Sequence, residues 1–347
     1  MKPINTALCS FGMSGWVFHA PFIHALPGFN LCAVWERTKD LAKQQYPDVR
    51  TYRTLEEMLA DEAVELVVVN TPNATHFTYA KKALQAGKHV VVEKPFTVTM
   101  QEATELAALA QQEQRLLSVF QNRRWDSDFL TVQQIVNSKA LGEIVEAELH
   151  YDRYKPELSP KLHKETPGPG TGLVYDLGSH LIDQALLLFG MPQAVFADLS
   201  IMRPGSQVDD YMEILLYYPA MRVRIKSGYL IREPLPAFVL HGTNGSFLKP
   251  RADIQEDSLQ QHKVPGTPGW GVEPASARGL LHTEKDGQVV REHVDTLPGN
   301  YGCYYELLYK AIRNHAPLPV TPEQAVQVIT IIEKAYQSNR EKRVVEV

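Results

Sequence analysis

Over residues 4–120 short aliphatic runs alternate with amphipathic helical patterns, and that alternation leaves few folds open. Strands are expected over 4–11, 31–35, 66–69, 89–92 and 116–120. Helices are expected from about Ser14, over 39–46, from Leu55, and over 75–86 and 101–114. Leu66-Val67-Val68-Val69 contains no polar residue, as in a strand covered on both faces. Thr54-Leu55-Glu56-Glu57 has the form of a capping box, with Thr54 as N-cap and Glu57 reaching back. Leu55, Met58 and Leu59 then supply that helix's apolar face, and Gly87 is a suitable C-cap for the helix over 75–86. Strand and helix at this spacing imply parallel βαβ units with right-handed crossovers. The expected fold class is α/β, beginning with a doubly wound Rossmann domain over 1–121.

Beyond residue 121 the pattern changes. Residues 221–226 alternate strictly, as in a strand with one buried face. Asn244-Gly245 and Asp286-Gly287 are hairpin dipeptides. A helix is expected over 173–189, and the Pro/Gly-rich stretches 156–172 and 265–274 read as loops. Thr321-Pro322-Glu323-Gln324 opens a last helix, with Ala325, Val328, Ile329, Ile332 and Ala335 as its buried stripe. Residues 122–347 are therefore expected to form an α+β domain with a largely antiparallel open sheet. A chain of 347 residues also exceeds one ordinary core.

Several function classes fall away. The aliphatic runs are far shorter than the ~20 residues of a membrane span, and Met1-Lys2-Pro3-Ile4-Asn5 lacks a signal peptide's apolar stretch. A cytoplasmic location is expected, with no membrane partner. The net charge of −5 comes without a basic block, so no nucleic-acid partner is expected. Cys9, Cys32 and Cys303 have no metal-ligand spacing, and no histidine–acid grouping has the form of a metal site.

Ser10-Phe11-Gly12-Met13-Ser14-Gly15 directly follows the first strand. In G-x-G-x-x-G turns the glycines allow a tight bend, approach of a pyrophosphate and close helix–strand packing, and the helix start faces the phosphates. Gly12 and Gly15 fill the second and third places, and Ser10 replaces the first. Glu36 lies about 20 residues on, where an acid accepts the ribose hydroxyls of NAD. Arg37 and Lys39 stand where a cation could hold the 2′-phosphate of NADP instead, so the two cues conflict.

Two clusters carry the chemistry. Lys94, in Glu93-Lys94-Pro95, ends the fifth strand, on the side where doubly wound sheets bind ligands. An ammonium there can join the proton traffic of alcohol oxidation. In Tyr175-Asp176-Leu177-Gly178-Ser179-His180, Asp176 and His180 stand four apart and share a helical face, and Asp183 can also approach His180. A carboxylate beside an imidazole raises its basicity, as a general base requires. Arg123, Arg124 and Arg153 could bind substrate hydroxyls or carboxylates, or form structural ion pairs. His19 and His76 lie near the cofactor end of the sheet, where histidines ordinarily serve loops and helix ends.

These motifs, with Gln121-Asn122-Arg123-Arg124-Trp125, occur in an order that resembles the Gfo/Idh/MocA oxidoreductases over nearly the whole length. The pattern is closest to the branch of scyllo-inositol dehydrogenases that use NADP. That branch shares Phe18-His19 and Tyr151-Asp152-Arg153-Tyr154, and its second strand ends in a Ser-Arg-Thr type run, which Arg37 and Thr38 match and Glu36 does not. The resemblance implies a hydride moved between nicotinamide and a polyol, inositol or sugar-like alcohol or ketone. It implies catalytic roles for Lys94, Asp176 and His180. Cofactor contacts are expected from Ser10, Gly12, Met13, Ser14, Gly15, Glu36, Arg37, Thr71, Pro72, Asn73, His76, Glu93 and Lys94. Substrate contacts are expected from Arg123, Arg124, Tyr154 and Asp176. It further implies a cis bond before Pro95 and a homo-oligomer joined through the C-terminal sheet. In the expected mechanism His180 accepts the hydroxyl proton while Asp176 and Lys94 orient the substrate. Two alternatives stay open: a catalytically silent dinucleotide sensor, and transient redox chemistry during glycosidic cleavage.

Overall fold

The computed structural model describes residues 2–347, except for the side chains at 162 and 163. Two compact units are formed. One comprises Met1–Asn122, Ile254–Trp270 and Asn300–Val326, the other Arg123–Asp253, Gly271–Gly299 and Gln327–Val347.

The first unit is built on β1 (Ile4–Leu8), β2 (Phe29–Trp35), β3 (Arg50–Tyr52), β4 (Leu66–Val69), β5 (His89–Glu93) and β6 (Leu117–Phe120). They form one sheet in the order β3-β2-β1-β4-β5-β6, with every pairing parallel. The order reverses between β1 and β4, which marks the crevice where such sheets bind nucleotides. Leu66, Val67, Val68 and Val69 are all fully buried, as an uninterrupted aliphatic strand requires. The capping box at Thr54 is present with both reciprocal bonds, and an unanticipated one caps helix Met100–Gln112 through Thr99 and Glu102.

The first helix departs from expectation. Ser14–His19 is a π-helical stretch, and only Ala20–Ala25 is α-helical. The Ala20 N–H bonds Gly15 O, a five-residue closure, and Pro21 brings no N–H to an α-type bond. The chain also returns late to this unit. Tyr301, Tyr304 and Tyr305, at the start of helix Gly302–Asn314, are fully buried beside Phe22, Phe29 and Phe120. The three tyrosines thereby complete a core begun by the first strands.

The second unit holds β7 (Ile144–His150), β8 (Ala194–Ser200), β9 (Tyr211–Tyr217), β10 (Arg222–Gly228), β11 (Phe238–Gly242), β12 (Gly245–Lys249), β13 (Gly279–Lys285), β14 (Gln288–Val294) and β15 (Val345–Glu346). The sheet order is β14-β13-β12-β11-β7-β10-β9-β8-β15, antiparallel apart from the β7–β10 pair. Alternate residues such as Val223 and Ile225, Ile214 and Leu216, and Ala147 and Leu149 are fully buried. Helix Ser179–Phe189 packs against β7 and β10. Asp286 and Gly287 have φ of 52° and 75° and join β13 to β14, the left-handed pair a two-residue hairpin favours. Asn244-Gly245 works differently. Gly245 already belongs to β12, and a Cβ there would lie 2.5 Å from His282 O, so close strand approach requires the glycine.

Candidate active site

The turn after β1 accommodates Ser10 through a residue that sequence reading missed. Asn70, at the carboxyl end of β4, accepts from Ser10 N at 3.0 Å and donates to Ser10 O at 2.9 Å. The Ser10 hydroxyl donates to Asn70 O at 2.9 Å. Serine is therefore stitched into the bend. A Cβ on Gly15 would lie 2.4 Å from Ser10 O, so the helix can approach β1 only with glycine. A Cβ on Gly12 would meet nothing nearer than Ser10 Oγ at 3.9 Å. Internal packing does not demand Gly12, and the space over it is free for a ligand's close approach. Met13 is exposed and begins the helical turn, whose first amides have no acceptor within the helix. On these observations the residues fit a dinucleotide pyrophosphate.

Glu36, at the end of β2, caps the helix that follows. Its Oε1 accepts from Leu41 N at 3.1 Å and its Oε2 from Ala42 N at 3.0 Å. Both oxygens serve the first amides of helix Leu41–Gln45, and the residue is buried. The helix begins two residues later than the pattern over 39–46 implied, where this cap satisfies it. Arg37, Thr38 and Lys39 are exposed. Arg53 donates to the carbonyls of Glu36 and Lys39 and pairs with Asp40, holding the loop's backbone from outside.

The carboxyl end of β5 presents Glu93-Lys94-Pro95, and the Lys94–Pro95 bond is cis. Glu93 Oε1 accepts from Ser14 Oγ at 2.5 Å and meets His19 Nε2 at 2.9 Å, while its Oε2 accepts from Lys94 N at 3.1 Å. Burial alone would raise the Glu93 carboxyl, but the bonds from His19 and Ser14 and the nearby Lys94 charge hold it down at about 2. It is therefore a carboxylate at neutral pH. His76, fully buried, spans Pro95 O and Thr71 O at 2.8 Å each, and burial holds its basicity down. Thr71 Oγ1 meets Thr75 Oγ1 at 2.7 Å, and Pro72 O accepts from Thr75 N. These bonds shape the 71–76 turn that includes Asn73. The candidate cofactor residues of the first unit thus lie on the carboxyl ends of β1, β2, β4 and β5.

In the second unit the stretch carrying Asp176 and His180 is helical but not uniformly α. Val174–Gly178 is a π-turn, followed by the α-helix Ser179–Phe189. A π-turn closes over five residues, so residues four apart still fall on one face. His180 is 4% exposed, whereas the Asp176 side chain is 34% exposed and lies 3.5 Å from Lys164 Nζ. Asp183 pairs with an arginine. Its carboxylate receives Arg124 Nε at 2.8 Å and Nη2 at 2.7 Å, a buried two-pronged pair. This fixes Arg124 in an ion pair rather than leaving its fork open to a substrate. Arg123 pairs with Asp126 at 3.3 Å, and its guanidinium lies 5.0 Å from the Tyr151 ring centre. Arg153 stacks on the same ring at 4.9 Å, and its backbone is pinned by Gly228 O and Ile231 N. Tyr154 is exposed, with Arg232 3.9 Å above its ring. Among the described residues no group of three or more His, Cys, Asp or Glu side chains could hold a metal ion.

A six-stranded parallel sheet of this order, with a glycine turn after β1, defines a Rossmann-type dinucleotide-binding protein. The chain belongs to the Gfo/Idh/MocA oxidoreductase family. The family's NAD-binding Rossmann-fold model matches residues 4–121, and its C-terminal alpha/beta domain model matches 133–347. Among its relatives, the scyllo-inositol 2-dehydrogenase (NADP(+)) of Bacillus subtilis (strain 168) is 37% identical over 342 residues, covering 99% of this chain and 95% of that protein. An oxidoreductase of uncharacterised activity from Schizosaccharomyces pombe is 41% identical over 360 residues, covering 98% of each. A crystal structure from Bacteroides fragilis, described as an oxidoreductase, superposes with a TM-score of 0.91 at 46% identity over 100% of both chains. No helix of the described residues is long and apolar enough to cross a membrane.

Proposed function

We propose that this oxidoreductase is an NAD(P)-dependent dehydrogenase that interconverts a polyol, inositol or sugar-like alcohol with its ketone. The observation that carries this reading is the second unit's helical turn, which sets Asp176 and a buried His180 four residues apart; Lys94, its backbone amide held by Glu93 at the end of β5, supports it from the nucleotide sheet. The similarity to a scyllo-inositol dehydrogenase supports the substrate class.

When bound, nicotinamide supplies the two-electron acceptor or donor. The chain's own residues manage the proton and the geometry. His180 takes the hydroxyl proton as the alcohol carbon is oxidised, and returns it in the reverse direction. Asp176 holds a neighbouring hydroxyl, and the Lys94 ammonium steadies charge developing on the reacting oxygen. Arg123 and Tyr154 line the substrate's approach. Gly12, Met13, Ser14 and Gly15 would hold the pyrophosphate, with Thr71, Pro72 and Asn73 on the neighbouring turn; His76, fully buried, braces that turn rather than touching the cofactor.

NADP is the preferred cofactor. Glu36 spends both carboxylate oxygens on Leu41 and Ala42, which leaves Arg37 and Thr38 exposed for a 2′-phosphate. The protein works in the cytoplasm as a homo-oligomer, joined through the outer face of its nine-stranded sheet, where Glu148, Glu213 and Arg224 form a half-exposed charge network.

The test is an absorbance screen at the reduced-nicotinamide band, crossing inositols, sugars and sugar acids with NADP and NAD. Reduction with at least one inositol or sugar, faster with NADP, is expected. Cofactor binding by fluorescence titration with no turnover across the panel would instead make the protein a silent sensor. Sugar release without net reduction would point to glycosidic cleavage.

A further inference from the structure

We propose that His19 is a positioning residue for Lys94, acting through the Glu93 carboxylate; the proposal rests on the reading of Lys94 as catalytic. His19 is fully buried within the π-helical stretch Ser14–His19, and both of its ring nitrogens are engaged. Nε2 lies 2.9 Å from Glu93 Oε1, and Nδ1 lies 2.6 Å from the hydroxyl of Tyr305. Glu93 is ionised and can only accept, so His19 Nε2 carries a proton and donates to it. The Tyr305 phenol is held well above its ordinary range by burial and stays protonated, and its hydroxyl braces the ring at Nδ1. A chain of hydrogen bonds thus runs from Tyr305 through His19 to Glu93.

The end of that chain is what gives it consequence. Glu93 gathers three donors: the Ser14 hydroxyl and His19 ring on one oxygen, and the Lys94 backbone amide on the other. The residue after Lys94 is held as well, because Pro95 O meets His76 Nδ1 at 2.8 Å. Lys94 therefore sits between two held peptide units, which set the direction of its Cα–Cβ bond. The His19 ring packs 4.5 Å from the Phe120 ring centre, so it has little freedom to move. Without His19, Glu93 Oε1 would keep one donor in a buried place, and the carboxylate would turn to seek another. Such a rotation withdraws Oε2 from the Lys94 amide and releases that peptide unit. A misplacement of about 1 Å at a catalytic group can reduce turnover about 100-fold.

The test uses the full chain, with crystal structures and turnover of His19→Ala, His19→Gln, Tyr305→Phe, Lys94→Ala and the His19→Ala/Lys94→Ala pair. Gln can place an N–H donor near the Nε2 position and should keep the Glu93 bond. In His19→Ala the Lys94 N–H to Glu93 bond should be lost and Nζ should move by about 1 Å. In His19→Gln both should stay near their original places. With scyllo-inositol and NADP, kcat should fall about 10- to 100-fold in His19→Ala and recover to within about threefold in His19→Gln. Cofactor Kd by fluorescence titration should stay within about threefold in both variants. Lys94→Ala should mask the His19 effect, so the double variant is no slower than Lys94→Ala alone. Tyr305→Phe, which preserves the packed ring, should lower kcat about threefold if His19→Ala does not fold.

An unmoved Lys94 in His19→Ala, or an equal His19 effect with and without Lys94, overturns the proposal whatever the substrate is. Normal turnover of Lys94→Ala sinks the catalytic reading of Lys94 separately.

Discussion

Replacing Glu36 with alanine separates a helix cap from a ribose ligand. The carboxylate accepts from two amides, Leu41 N at 3.1 Å and Ala42 N at 3.0 Å, and the residue is only 7% exposed. Loss of a helix cap costs about 1 kcal/mol. An ionised acceptor facing the positive end of a helix contributes up to about 1 kcal/mol more. The variant should therefore lose about 2 kcal/mol, which corresponds to a fall of about 4–8 °C in Tm for domains of this size. Glu36→Gln keeps one acceptor and should lose about half as much. Thermal unfolding reads the stability, and fluorescence titration with NAD and NADP reads the site. Both Kd values should stay within about threefold, because neither ribose depends on the carboxylate. A tenfold or larger loss of NAD affinity with an unmoved Tm would refute this account and return Glu36 to the ribose.

Other perturbations test neighbouring parts of the account. Gly15→Ala puts a Cβ 2.4 Å from Ser10 O, and titration should show cofactor affinity reduced by about tenfold or more. Arg124→Ala leaves the Asp183 carboxylate buried without its two-pronged partner and should destabilise by about 3–5 kcal/mol in denaturant unfolding. Glu93 titrates at about 2 in the folded protein, below its ordinary value of 4.5. The unfolded chain binds the extra proton between those values, so stability rises with pH there and is lost as pH falls from about 4.5 toward 2. Relative to Glu93→Gln, the parent protein should lose about 2 kcal/mol between pH 6 and pH 3 in denaturant titrations. A constant difference between the two would contradict the low value.

Much of the first unit was legible because its signals are local. Four uninterrupted aliphatic residues at 66–69, the capping box at Thr54 and the glycines at 12 and 15 each report a backbone need without distant partners. For Glu36, motif spacing places an acid at the end of β2 but says nothing of where its carboxylate turns. Here two free amides five and six residues on compete for it and win. Asn70 left a faint signal, a polar residue directly after an all-buried strand at the point where the sheet order reverses. Tyr305 left none, since its pairing with His19 joins residues 286 positions apart. The returns of 254–270 and 300–326 to the first unit were equally hidden, because no composition change marks them. In the second unit Asp183 stood at helical spacing from His180, yet Arg124 claims it, because a guanidinium fork meets both carboxylate oxygens at once.

The proposal stands or falls on whether Lys94 and His180 are each needed for the chemical step. Single-turnover nicotinamide reduction, followed with saturating NADP and scyllo-inositol in the parent protein, Lys94→Ala and His180→Ala, addresses it most directly. The account predicts that each substitution slows the chemical step by about 100-fold or more while cofactor binding persists. Near-parental rates in either folded variant would contradict it.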